Sequence, residues 1–161
     1  MQNCDLICVG KLSADYFAAA CREYEKRLGA YCRFRAVELP EERIDEKQAS
    51  PATVEKALKK EGEAILAAVR RGSELVALCV EGKPCSSEQL AALLQSNALY
   101  GGGSITFVIG SSHGLHPVVK QAAAARLSIS PMTFPHQLCR LILTEQIYRA
   151  CTINAGKRYH K

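Results

Sequence analysis

Short apolar runs alternate with longer segments of helical period along almost the whole chain, and this alternation constrains the fold more than any other feature. Residues 4–10 read as a strand that ends at a glycine. Ser13 is placed to cap a helix over 14–28, where Phe17, Cys21, Tyr24 and Leu28 recur at helical spacing. Residues 32–39 alternate apolar and charged side chains as a second strand, which Pro40 ends. Residues 41–49 are charged and poor in apolar side chains, which predicts a mobile loop. Ser50 and Pro51 open a helix to about Arg71, with Val54, Leu58, Ile65 and Val69 on one face. The near-continuous apolar run at 75–80 suits a strand buried on both faces. Ser86 and Gln89 form a capping box for a helix to about Leu99, and Gly101, Gly102 and Gly103 make a turn. A central strand follows at 105–109, closed by Gly110. Then come an alanine-rich helix at 117–125, a short strand at 127–130, and a last helix from Pro135 to about Cys151 or Thr152.

Alternation of this kind predicts an α/β fold, a mainly parallel sheet flanked by helices. Ligands of such sheets sit beyond the carboxyl ends of the strands, so the loops after Val80, Ile109 and Ser130 are the first places to look for a site. A length of 161 residues predicts one domain spanning 1–161. The N-terminus lacks a basic region followed by a long apolar run, and no stretch approaches the roughly 20 apolar residues of a membrane span. The expectation is a soluble, cytoplasmic protein with no membrane partner. Eight cysteines without a Cys-x-x-Cys pair argue against a zinc or thioredoxin-type site and read as small buried hydrophobes.

Charge is distributed unevenly. Residues 1–88 hold 14 Lys/Arg against 15 Asp/Glu, whereas residues 89–161 hold seven Lys/Arg against a single acid, Glu145. A one-sided basic surface is what a polyanion requires, although solubility charge explains it equally well. Several cofactor chemistries are poorly supported. No Gly-x-Gly-x-x-Gly follows the first strand, and neither a P-loop nor Gly-x-Ser-x-Gly is present. With Glu145 as the only late acid, a carboxylate-held magnesium or other metal is not expected in these loops. Instead the late loops offer backbone. Gly110-Ser111-Ser112-His113-Gly114 follows one strand, and Ser130-Pro131-Met132-Thr133-Phe134-Pro135 the next. Lined by Leu78, Ile129, Met132 and Phe134, a pocket here would suit a flat, partly apolar ligand such as an adenosine, and the same residues also fit ordinary connections with core side chains.

Residues 107–115, 127–138 and 145–150 and the closing Tyr159-His160-Lys161 resemble the RlmH family, the SPOUT-class methyltransferases that act on N3 of a pseudouridine in large-subunit ribosomal RNA. Val9-Gly10-Lys11 and the segment 78–84 fit the same family, and the resemblance covers essentially the whole chain. It implies a C-terminal trefoil knot, which physical priors alone would not propose. It implies S-adenosylmethionine as cofactor, held by Leu78, Gly110, Ile129, Ser130, Pro131, Met132, Thr133 and Phe134. It also implies a homodimer acting on the assembled ribosome. Ser111 departs from the family, which commonly has glycine there.

Methyl transfer to an imide nitrogen needs positioning and a group that eases proton departure, and it needs neither a metal nor a nucleophilic cysteine. The candidates for catalysis are Arg149, Tyr159 and His160, with His136 and His113 behind them. The tail that carries Tyr159 and His160 has no evident packing role, and such groups can stack on or hydrogen-bond a splayed base. His113 and His116 read as loop residues facing solvent or substrate. The last helix is apolar over a wide arc, which predicts burial on two sides, against its own sheet and a second subunit or else in two contacts within the chain; in the first case Arg140 and Arg149 could reach RNA phosphates or the cofactor carboxylate. An enzyme for another RNA, or a non-enzymatic ribosome-binding protein with a vestigial knot, remains open at this point.

Overall fold

Two strands, β1 (Asn3–Val9) and β4 (Ser104–Ile109), are buried on both faces, and the other elements are arranged around them. The computed structural model describes residues 1–161. It adds β2 (Arg33–Leu39), β3 (Glu74–Pro84) and β5 (Ala125–Ser128), giving one sheet in the order β2-β1-β4-β3-β5 with every pairing parallel. The helices are α1 (Asp15–Leu28), α2 (Pro51–Ala68), α3 (Ser87–Tyr100), α4 (Pro117–Ala122) and α5 (His136–Asn154).

Strand periodicity sorts the core into two layers. Leu6, Cys8, Val76, Ile105 and Phe107 face α1, α3 and α5, which contribute Leu28, Leu90, Leu94, Leu143 and Ile147. Ile7, Val9, Leu75, Ala77 and Val108 face α2 and α4, which contribute Ile65 and Val119. The register places Leu6 between Ala36 and Phe107, so one step along the strand exchanges the two layers. The steps β1 to β2 and β3 to β4 run one way across the sheet with their helices on one face. The steps β2 to β3 and β4 to β5 run the other way with helices on the opposite face, so all four crossovers share one hand, as parallel sheets require. No helix is long and apolar enough to cross a membrane.

Several boundaries differ from expectation, each for a visible reason. Ser13 does not cap α1. Ala14 occupies the cap without a side-chain bond, and Gln137 of α5 accepts from the N–H groups of Ser13 (2.8 Å) and Ala14 (3.4 Å) instead. α2 stops at Ala68, after which Arg70 turns to the buried Asp5 at 3.3 Å. β3 continues to Pro84 by way of a bulge, because Leu127 pairs with both Leu78 and Lys83 and leaves Cys79 to Gly82 outside the ladder. Val80 there is 53% exposed, so burial on both faces holds only for the first half of this strand. The run of alanines at 122–125 does not stay helical. The N–H of Ala124 donates to the Leu75 carbonyl (2.8 Å) and Ala125 pairs with Val76, so sheet pairing overrides a strong helix propensity. Residues 41–49 include a 3-10 turn, Glu46–Gln48, capped by Asp45, and their first two acids are anchored to α2 and to the loop after β4. The capping boxes and caps at Ser86 and Ser50 form as expected, each contributing about 1 kcal/mol.

Candidate functional site

Because all five strands run the same way, the loops after β3, β4 and β5 emerge side by side. Between them and the first turn of α5 lies a cavity of about 480 Å³. Leu78, Ile109, Ile129, Met132 and Phe134 give it apolar walls, while Gly110, Ser111, Ser112 and Gly114 supply mainly backbone. Of the residues expected to hold a cofactor, Leu78, Gly110, Ile129, Ser130, Met132, Thr133 and Phe134 all line this cavity, and Pro131 does not.

The walls are pre-shaped by short-range bonds. The Ser128 hydroxyl donates to the Ser130 carbonyl (3.0 Å), and the Met132 N–H donates to the Ser130 hydroxyl (3.0 Å), which rigidifies the turn between the two prolines. The loop after β4 closes on itself through Gly114 N–H to the Ser111 carbonyl (2.9 Å). A side chain on Gly110 would overlap the Gly114 carbonyl, so the loop's own closure, rather than a ligand's approach, is what first demands glycine there. Ser111 is accommodated because its hydroxyl donates to Glu61 of α2 (2.9 Å). At the rim, Lys120 pairs with Glu81, which lowers that carboxyl's pKa and keeps it ionised. Cys139 also reaches the cavity, but burial pushes its thiol up to about 11 and leaves it an unreactive hydrophobe.

The histidines separate. His136 lines the cavity, with its Nε2 about 3.0 Å from where a Cβ on Gly10 would stand. The expectation of a free loop residue fails for His116. It caps α4 by accepting from the Val118 N–H (3.1 Å) and bonds Glu55 (2.8 Å). His113 is exposed.

Arg149, Tyr159 and His160 come together, but away from the cavity. At 1.5 Å rise per residue, Arg149 lies ~20 Å along α5 from His136. The tail is packed, although its sequence shows no evident packing role. The Tyr159 ring stacks edge-on against Tyr148 (4.8 Å between centroids), and its hydroxyl donates to Glu145 (3.0 Å). Arg149 is held by two bonds to Glu145 (2.6 and 3.1 Å) and lies over the Tyr159 ring, 4.7 Å from its centroid. His160 bonds Glu88 (2.8 Å) and contacts Arg149 (3.4 Å). Burial, with the hydrogen bonds to Tyr24 and Glu145, raises the Tyr159 pKa, so its phenol stays protonated. Arg140 is withdrawn from any phosphate, being 7% exposed and paired with Glu38 at 2.6 Å.

Sequence reasoning missed Glu61, Glu41, Glu81 and Lys120. The first of these left a signal: Glu61 interrupts the apolar stripe of α2 between Leu58 and Ile65, where a carboxylate must have a partner. No group of three or more His, Cys, Asp or Glu side chains is placed to hold a metal.

An all-parallel sheet whose cavity is built from the loops after three strands defines an α/β protein of the small-ligand-binding kind. The family described as predicted SPOUT methyltransferase matches residues 2–160. A protein of Ligilactobacillus salivarius called ribosomal RNA large subunit methyltransferase H is 48% identical over 159 residues, 99% of each chain. A protein of the same name from Exiguobacterium sibiricum is 49% identical over 156 residues, 97% of this chain and 98% of the relative. The crystal structure of a probable methyltransferase from Bordetella pertussis shares the fold with a TM-score of 0.56 at 18% identity, covering 92% of this chain and 93% of that one. The chain therefore belongs to the SPOUT methyltransferase family, in the RlmH group whose members are called ribosomal RNA large subunit methyltransferase H.

Proposed function

We propose that this chain is an S-adenosylmethionine-dependent methyltransferase that modifies N3 of a pseudouridine in large-subunit ribosomal RNA. It acts as a single-domain protomer of a homodimer, in the cytoplasm, on the assembled ribosome. The observation that carries this reading is the cavity of about 480 Å³, with its apolar walls and backbone-rich loops. Its volume falls in the ordinary range for a bound small molecule. Leu78, Ile129 and Phe134 fit an adenine between apolar surfaces. The first turn of α5 lacks a side-chain cap, and its free N–H groups suit a carboxylate. Leu78, Gly110 and the segment 129–134 are thus assigned to the cofactor.

When bound, S-adenosylmethionine supplies a methyl group already activated on a sulfonium. The chain's own work is to orient the acceptor and manage its proton. Arg149, fixed and kept charged by Glu145, offers a planar cation to an electron-rich pyrimidine edge or a phosphate. Tyr159 is a hydrogen-bond donor, because its phenol is held protonated. His160 carries the imidazole, the side chain best suited to accept a proton near neutral pH.

The ~15 Å along α5 between Arg149 and Cys139, the nearest residue of that helix lining the cavity, argues against one protomer using both ends at one substrate. A second copy resolves the conflict by presenting its cluster to the first copy's cavity. Leu138, Leu141 and Ile142 remain half-exposed on α5 and suit burial against that copy. The C-terminal trefoil knot is proposed on membership of the SPOUT family.

Titration calorimetry with S-adenosylmethionine tests the site, and no binding at millimolar ligand overturns the reading. Mapping the methylated nucleotide in a strain lacking the endogenous activity tests the target. Methylation of a different RNA would keep the enzyme and discard the substrate.

A further inference from the structure

α2 buries a carboxylate that the core does not need. Glu61 is 5% exposed, and both of its oxygens are engaged: Oε1 accepts the Glu42 N–H (3.0 Å) and Oε2 accepts the Ser111 hydroxyl (2.9 Å). The neighbouring side chains oppose its charge. Glu41 and Glu42 are both acidic, and the nearby Lys60 is paired with Glu42 (3.0 Å) rather than with Glu61. A carboxylate buried without a cation is unfavourable, and replacing it with an apolar side chain would ordinarily stabilise a helix face. Its hydrogen bond leads directly into the cavity wall.

Ser111 is held twice, by its hydroxyl on Glu61 and by its carbonyl on the Gly114 N–H. The next residue repeats the arrangement, with the Ser112 hydroxyl donating to Glu41 (3.0 Å). Gly110, one residue before, packs against Gly114. A glycine-flanked loop loses conformational freedom at every residue when it is ordered. Ties that order it before the ligand arrives remove part of that cost from binding.

We propose that Glu61, acting through Ser111, is a positioning residue that pre-orders the Gly110–Gly114 loop of the cofactor cavity, with Glu41 and Ser112 as a second tie. The inference rests on reading that cavity as the S-adenosylmethionine site.

The test is a double-mutant cycle on the full-length protein, read by calorimetry with S-adenosylmethionine and by hydrogen exchange of the loop amides. Ser111→Ala should weaken binding about five- to tenfold, less than the full worth of a hydrogen bond to a carboxylate, because only the pre-ordering of the loop is lost. Ser111→Ala placed on Glu61→Ala should add nothing further, since the partner is already gone. Glu61→Gln, whose amide can still meet Glu42 and Ser111, should stay within about twofold of wild type, and it serves if Glu61→Ala does not fold. In Ser111→Ala, Glu61→Ala and the double variant, KM for the methyl donor should rise more than kcat falls. Wild-type affinity in Ser111→Ala, or additive losses in the cycle, overturns the proposal. If the wild-type protein takes up no S-adenosylmethionine, the reading of the cavity fails. The tie is then judged by exchange alone: faster exchange at Ser112–Leu115 in Ser111→Ala supports it, and unchanged exchange rejects it.

Discussion

The two ends of α5 are built from opposite materials. At its N-terminus the cavity is made of glycine, short hydroxyls satisfied inside the protein, and apolar walls. At its C-terminus the cluster is made of long charged and aromatic side chains: Arg149 on Glu145, Tyr159 on Tyr148, His160 on Glu88. One end is defined by the shape of the main chain and the other by the placement of charge. Added bulk should therefore damage the first end and changed polarity the second. The chemistry proposed above needs both at one point, which ties function to the meeting of two chains rather than to either end alone.

Gly110→Val is the harshest way to break the first end. A branched side chain there meets the Gly114 carbonyl and Leu115, so the loop must open. A loss of at least about 3 kcal/mol in ligand affinity is expected, more than a hundredfold, in line with overpacking a site with no room to relax. The dimer should persist, because Leu138, Leu141 and Ile142, the side chains proposed to bury against the second copy, are left unchanged. Calorimetry and size-exclusion chromatography check both statements. Unchanged affinity would remove Gly110 from the site.

A mixing experiment sharpens the comparison itself. Gly110→Val protomers lack a cavity and keep the cluster, and protomers truncated before Tyr159 keep the cavity and lack the cluster. Neither homodimer should methylate RNA. If the sites are shared, equal mixing yields dimers that are half mixed, each with one intact site, and restores about a quarter of wild-type activity. If each protomer works alone, mixing restores nothing. The measurement is methyl incorporation into ribosomes after co-refolding or co-expression of two differently tagged chains. The truncated protomer alone should bind S-adenosylmethionine normally.

The unequal legibility of the two ends follows from their construction. Strand identity and the location of the cavity could be read from apolar runs that end in glycine, because a parallel sheet puts its loops together whatever the side chains are. Gly110, Ile129, Ser130, Met132, Thr133 and Phe134 fell on one cavity for that reason, while Pro131 did not. The C-terminal cluster was read as an unpacked tail because its partners, Tyr24, Tyr148 and Glu88, lie 11 to 135 residues away, and no periodicity encodes such pairings. The same limit hid the internal commitments of Arg140 to Glu38 and His116 to Glu55. The alanines at 122–125 misled for a different reason: helix propensity is local, and the Leu75 carbonyl that claims Ala124 is not. Resemblance to a family supplied the chemistry, and neither composition nor spacing would have done so.

The smallest effect concerns the carboxylate that links α2 to the cavity. Burial raises the Glu61 pKa above the ordinary 4.5, against the opposing bonds from Ser111 and Glu42. The folded protein therefore binds this proton more tightly than the unfolded chain, and the sign of the linkage follows. As pH rises from about 4.5 through the raised value, wild-type stability falls by this contribution and then levels off. Glu61→Gln has no proton to lose. Its melting temperature, measured relative to wild type across pH 4 to 7, should become more favourable with rising pH, the smallest of the expected effects. The shift should vanish in a series where Glu61 is already absent, such as Glu61→Ala against Glu61→Gln. A difference that stays flat, or that shrinks toward neutral pH, would mean that Glu61 ionises at least as freely in the fold as in the open chain. Its bond to Ser111 would then have to be assigned to a carboxylate already stabilised by its surroundings, and the second end of the comparison would no longer be the only one governed by charge.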